Sequence, residues 1–434
     1  MKLNKTFTAL VIGLASAAVT QALPPGPLVT PNNPVFISGS TAFRAQVYQG
    51  LLDLGLTNQP GDSSGNNIFT FGGTPTNNKV AGLPAGLLSG PCTVYCSFDG
   101  SAQGVNECVN TSLAQNFEDL GPTAAAGTAT FTHASDLAFS DVSQSSTAYP
   151  SSPALNELVA SIAQSSHLGT GIAVQPFLWA GNTNASNIIS TINDGQIFDL
   201  FKLGQLPLSY WTGNPGDTNV IKLTGRDNTS GTRITSQQLA AWNAALPINQ
   251  WTVDGGVGTP NTAGNTGPWT AVANSGYGSG GNVAKALGEL GVPTSDTSAV
   301  VGYISFADAK GLVDTAALNG GTVAGIALTY NNVNPILTPA GGTNVFAYNI
   351  AAVENGPWFD WSYEHLYESL NYGNAVSGGN GGFVDASFGP GLVLAVDYEI
   401  GLQGVSVFPQ TAILINNMNV KRTTDGGPLL PFVP

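Results

Sequence analysis

Apolar positions fall in short runs between long polar stretches, and their spacing predicts strands alternating with helices. Val35, Phe36 and Ile37 read as a buried strand, closed by Ser38-Gly39-Ser40-Thr41. Phe43, Val47, Leu51 and Leu54 then recur at i, i+4, i+8 and i+11, the stripe of an amphipathic helix. Ser40 or Thr41 would cap it. Residues 55–90 are rich in Gly, Asn and Pro and read as a surface insertion. A short strand running into a loop is expected over 136–146. Residues 153–164 form a predicted helix with Leu155, Leu158, Val159 and Ile162 on one side.

Further strands are expected at 171–180, 220–223 and 300–306, with helices at 197–203 and 283–290. Residues 225–231 turn into a helix carrying Ile234 and Trp242. The aromatic stretch 358–370 reads as a helix, and the tail beyond Asn374 mixes Gly-rich loops with strand-like runs at 392–396 and 405–408. This alternation implies an α/β protein with largely parallel sheets.

The first 22 residues change where such a protein is expected to work. Lys2 and Lys5 precede a mostly apolar run at 7–19, and Thr20-Gln21-Ala22 places small residues at the cleavage-determining positions. That is the pattern of a secretory signal peptide over 1–22, too short to span a bilayer. Export to a periplasmic or extracellular location is expected. Cys92, Cys96 and Cys108 would then supply one disulfide and one leftover thiol, the pairing left open.

Charge narrows the partners. Only 9% of the 434 residues are charged, and 26 acidic against 12 basic side chains give a net charge of −14. Twelve scattered cations cannot form the basic stripe that nucleic acid requires. Three of the four arginines, Arg44, Arg226 and Arg233, sit at predicted helix starts just after Gly, Ser and Thr. Unpaired backbone N–H groups there, with hydroxyls and a guanidinium nearby, make an anion cradle. Gly225-Arg226-Asp227-Asn228-Thr229-Ser230-Gly231-Thr232 is the clearest case.

Catalytic patterns are not found. His133, His167 and His365 lie outside these segments, and neither a nucleophile elbow nor an H-E-x-x-H helix occurs. No His stands near the cysteines to complete a metal site. The chain reads as a binder rather than an enzyme, with no cofactor and no metal expected.

Arg226-x-Asn228-x-Ser230-Gly231-Thr232 resembles the R-x-D-x-S-G-T segment of the periplasmic phosphate-binding proteins of ABC phosphate transporters. Ser38-Gly39-Ser40-Thr41-Ala42-Phe43 is similar to that family's first strand-to-helix turn. Asp99-Gly100-Ser101-Ala102-Gln103-Gly104-Val105 resembles its second anion loop, and Phe139-Ser140-Asp141-Val142-Ser143 the segment carrying its buried aspartate. The regions 197–211, Val301-Gly302-Tyr303-Ile304 and Phe359-Asp360-Trp361 resemble structural stretches of the same family, in the same order.

The resemblance implies a two-lobed fold of the periplasmic-binding-protein type with a ligand cleft and a hinge. Lobe one would comprise 23–170 and 335–434, lobe two 171–334. It implies inorganic phosphate, or a related tetrahedral oxyanion, held by Thr41, Ser101, Asp141, Arg226, Ser230, Gly231 and Thr232. Ser40, Phe43 and Gly39 would flank the ligand, with Asn228 at the family's Asp position. The partners implied are a membrane permease and its ATPase. Asp141 beside an anion makes sense for phosphate, which carries a proton to donate, whereas sulfate carries none at neutral pH. Asn228 in place of Asp and Gln103 in place of Gly depart from the pattern. The competing expectation is an extracellular or cell-surface adhesion or assembly protein that reuses this fold.

Overall fold

A computed structural model describes residues 33–110, 112–118, 130–149, 153–158, 171–186, 188–253, 268–288, 297–313, 325–337, 347–370, 383–403 and 410–431. The expected signal peptide, most of the expected helix at 153–164, His167 and the run at 405–408 lie outside them.

Twelve strands form one sheet among these residues. They are β1 (Pro34–Gly39), β2 (Thr57–Asn58), β3 (Ile68–Gly73), β4 (Cys92–Ser97), β5 (Leu137–Ser140), β6 (Asn156–Leu158), β7 (Ala173–Asn182), β8 (Gln205–Pro207), β9 (Val220–Thr224), β10 (Ala299–Ser305), β11 (Gly325–Ala327) and β12 (Trp361–Glu368). The order across the sheet is β8-β9-β10-β7-β12-β5-β1-β4-β3-β2, with β11 beside β7 and β6 beside β12. Only β1/β4, β1/β5 and β9/β10 are parallel within it, so the sheet is mixed rather than largely parallel.

Seven helices position the site: α1 (Arg44–Asp53), α2 (Ser101–Val109), α3 (Asp194–Leu203), α4 (Gly231–Leu239), α5 (Gly280–Leu287), α6 (Phe306–Val313) and α7 (Gly389–Leu402). The chain is α/β. Local chemistry fixes several ends. Asn193 and Gln196 form a reciprocal capping box at the start of α3, and Gly204 closes it in the left-handed conformation. Ser230 and Ser279 cap α4 and α5 through their side chains. Neither Ser40 nor Thr41 caps α1, because Phe43 occupies that position without a side-chain bond.

Two large apolar cores lie along the sheet. One gathers Val174, Leu223, Tyr303 and Trp361, and the other Val35, Phe43, Phe69 and Leu392. In the second, α1 packs on α7 at Gly50, where a Cβ would stand 3.2 Å from Val396 Cγ2. The two cores meet at β12, whose residues 361–364 pair with β7 and 365–368 with β5.

Several expectations are corrected. Residues 361–368 are a fully buried strand, not a helix. Trp361, Tyr363, His365 and Tyr367 alternate with period two, and the strand pairs with β7 over 361–364, with β5 over 365–368 and with β6 over 366–368. The run 392–396 lies inside helix α7, and 156–158 is a strand on β12. The segment 55–90 contributes β3, whose Phe69 and Phe71 are wholly buried, so it is part of the core as well as the surface. All three cysteines are free and buried. Cys92 and Cys96 sit four residues apart on β4, about 13 Å along a strand. A disulfide needs Cα atoms within about 7 Å. Cys108 lies on α2, in a separate apolar cluster with Val105 and Ala138.

Candidate functional site

The C-terminal ends of β1 and β5 deliver the first residues. Gly39 adopts φ 110° and packs so closely that a Cβ would fall 2.0 Å from Phe139 O, so only glycine can sit there. Ser40 N–H donates to Phe139 O at 2.8 Å, fixing the turn into α1. Phe43 is buried with its ring 5.6 Å from that of Phe139, an apolar anchor beneath the turn. The hydroxyls of Ser40 and Thr41 are buried without a hydrogen-bond partner.

Asp141 follows β5 and is buried at the meeting point of two helix N-termini. Ser101, the first residue of α2, donates its hydroxyl to Asp141 Oδ1. Thr232, in the first turn of α4, donates to Oδ2 at 3.1 Å. Gly100 N–H bonds Gly39 O and Ala102 N–H bonds Thr229 O, both at 2.9 Å, so backbone ties bring these segments together. Burial raises the Asp141 pKa above its ordinary value, while Ser101, the Arg226 charge and Thr232 pull it back.

Arg226 is also buried. Its Nε donates to Tyr277 O at 3.1 Å and its Nη2 to Gly278 O at 2.9 Å. The glycine segment 276–281 thus steadies the guanidinium, and Gly276 lies where a Cβ would be 2.4 Å from Arg226 O. Ser230 is engaged as the cap of α4, accepting from Arg233 N at 3.3 Å.

Thr41, Ser40, Ser101, Asp141, Arg226, Ser230, Gly231 and Thr232 are all buried, and direct contacts join Asp141 with Ser101, Gly231 and Thr232. Asn228 stands apart, exposed at the tip of its turn. Asp227 instead organises that turn, accepting from Thr229 N at 3.1 Å and Thr229 Oγ1 at 2.7 Å. Gln103 bonds Glu107 Oε1 at 3.1 Å, along its own helix. Arg233 is a structural cation, donating to Asn274 O at 2.9 Å and to Arg226 O at 3.3 Å.

Two features escaped the sequence reading. Arg44 Nη2 pairs with Asp308 Oδ1 at 3.2 Å, and its Nη1 bonds Thr41 O, joining α1 to α6 beside the start of α5. Glu364 lies on β12, one step beyond the His365–Ser140 pairing, which sets it opposite Asp141. Its carboxylate is buried with neither oxygen partnered. Burial and then the Asp141 charge push its pKa well up. A period-two reading of 361–368 would have put Glu364 on the same face as Leu366, against the end of β5. Among the described residues no group of three or more His, Cys, Asp or Glu could hold a metal.

No family model matches the sequence, and no curated protein sequence matches it. Solved structures do show likeness. A protein from Clostridium perfringens, assigned as a phosphate ABC transporter substrate-binding protein and solved with bound phosphate, gives a TM-score of 0.42 at 13% identity. That match covers 88% of this chain and 99% of the other. A possible phosphate-binding protein from Planctomyces limnophilus gives 0.33 at 10% identity, covering 83% and 90%. PstS from Borrelia burgdorferi gives 0.32 at 14%, covering 84% and 97%.

Proposed function

We propose that this chain is an exported solute-binding protein that captures phosphate, or a related tetrahedral oxyanion, for ABC-type uptake. The observation that carries this reading is the convergence of Ser101, Thr232 and Arg226 around Asp141 at the first turns of α2 and α4. Helix N-termini and hydroxyls satisfy a dehydrated anion without a full set of counter-charges. The unpartnered hydroxyls of Ser40 and Thr41 add two donors from the turn before α1. Arg226, pre-aimed by Tyr277 O and Gly278 O, supplies the cation.

In this reading Ser101 and Thr232 turn from Asp141 to the ligand, and Asp141 accepts the proton that phosphate still carries. Sulfate offers no such proton and would face a buried, unpaired carboxylate, a mismatch that costs orders of magnitude in affinity. Lobe one (23–170 and 335–434) and lobe two (171–334) would close over the ligand about a hinge. The Arg44–Asp308 pair would join them beside it. The partners would be a permease and its ATPase. The role is binding rather than catalysis, and no cofactor enters it.

A second reading has its own support. Asp141 already takes hydroxyl donors on both oxygens, so that carboxylate is satisfied from within. That suits an extracellular or cell-surface protein which keeps the fold for adhesion or assembly. Calorimetric titration with phosphate and then sulfate separates the two. Saturable 1:1 phosphate binding with little sulfate response supports the receptor, and silence toward both supports the surface protein.

A further inference from the structure

A buried ion pair bridges the two apolar cores. α1 and the residue before it feed Phe43, Val47 and Leu51 into one core. α5 and α6 feed Val283, Leu287, Phe306 and Ala309 into the other. Between them Arg44 Nη2 donates to Asp308 Oδ1 at 3.2 Å, the two side chains being only 11% and 3% exposed.

Each end of the pair is held by its own half. Ser305, just before α6, accepts from Asp308 N at 3.1 Å and donates to Asp308 Oδ2 at 2.8 Å, which aims the carboxylate. Arg44 Nη1 bonds Thr41 O, so the same guanidinium holds the turn that carries the Thr41 hydroxyl. The start of α5 closes in on both. A Cβ on Gly280 would lie 2.1 Å from Asp308 Oδ2. One on Gly281 would lie 3.3 Å from Arg44 Nη2 and 3.5 Å from Asp308 Oδ1. Two successive glycines thus make room for the pair.

Such a pair is a poor source of stability. Two charges lose their water on burial, and their attraction does little more than repay that loss. When the two sides separate, both charges regain water, so the contact opens where an apolar seam would stay shut. A contact of this kind is suited to selecting one arrangement over another.

We propose that Arg44 and Asp308 form a latch between the two halves, holding them shut beside the anion site and slowing ligand release. The inference takes its ligand from the receptor reading above, but the latch closes without one. Both are positioning residues, acting through Thr41. Because Arg44 holds Thr41 O, a ligand that favours the latched position of Thr41 also favours the closed pair, and the reverse holds equally.

The test is double electron–electron resonance on the full chain, without ligand. Nitroxide labels sit at Ser64→Cys and Lys285→Cys, exposed positions in the two halves, while the native thiols are buried. The parent should give one short distance. Arg44→Gln and Asp308→Asn should each add a longer one, and the double variant no more than either alone. Gly281→Ala favours helix α5 yet presses its methyl against Arg44, so it reads the latch even if the charge variants fail to fold. An unchanged distance distribution in Asp308→Asn and in Gly281→Ala would overturn the proposal. Phosphate dissociation, followed by stopped flow, should quicken at least about tenfold in Asp308→Asn, with association altered less than about twofold. A dissociation rate that does not change would also overturn it. A chain that opens in Asp308→Asn but binds no phosphate supports the latch and overturns only the receptor reading.

Discussion

Gly231 lies so close to Asp141 that a Cβ on it would stand 1.8 Å from the carboxylate Oδ1 and 2.7 Å from Ser101 Oγ. The glycine therefore admits the carboxylate to the start of α4, where backbone N–H groups and partial positive charge favour it.

Gly231→Ala must displace Asp141 or the helix start. Overpacking of this kind costs about 1–3 kcal/mol. A lower melting temperature is expected together with loss of phosphate binding, measured by calorimetry. Unchanged stability and affinity would show that the carboxylate can move at no cost.

Asp141→Asn replaces an acceptor with a group that also donates. The preference for phosphate over sulfate should fall by at least about tenfold, read from the ratio of the two titrations. An unaltered ratio would remove Asp141 from ligand contact.

Asp360 is buried with neither carboxylate oxygen partnered, and burial lifts its pKa from 3.8 to about 7, against the pull of Arg422. The folded state thus holds this proton more tightly than the unfolded state does. Its stability contribution is fully present below the unfolded pKa and is lost as pH rises through about 7. Asp360→Asn removes that titration. Between pH 5 and pH 8 the variant should lose less melting temperature than the parent, as scanning calorimetry would record.

The thiols of Cys92, Cys96 and Cys108 are buried, and burial pushes that of Cys92 up to about 12 and the other two upward as well. A disulfide reagent such as 5,5′-dithiobis(2-nitrobenzoate) should titrate none of them in the folded protein and all three in denaturant. Reductant should leave the melting temperature unchanged. Fewer than three thiols after denaturation would mean that a disulfide forms.

The legible parts of the chain were those governed by near neighbours. The stripe at Phe43, Val47 and Leu51, the glycine-to-serine turns before α2 and α4, and the buried runs at 173–182 and 299–305 carry their structure in adjacent residues. So do the helix-start positions of Ser101 and Thr232, whereas their meeting with Asp141 joins segments 40 and 91 residues apart and belongs to the tertiary structure. Asn228 is exposed, because motif position alone does not say which side of a tight turn faces inward.

By itself the sequence determined the α/β alternation, the low charge that bars nucleic acid, and which hydroxyls and guanidinium stand at helix starts. Tertiary structure decided the rest. Residues 361–368 support either periodicity, and they become a strand because β5 and β7 offer hydrogen-bonding edges on both sides. That pairing sets Glu364 opposite Asp141. Likewise Cys92 and Cys96 are close in number yet too far apart on β4 to join. Neighbours in sequence fix conformation through local sterics and capping, whereas partners across a sheet are chosen only when distant segments compete to satisfy buried backbone groups.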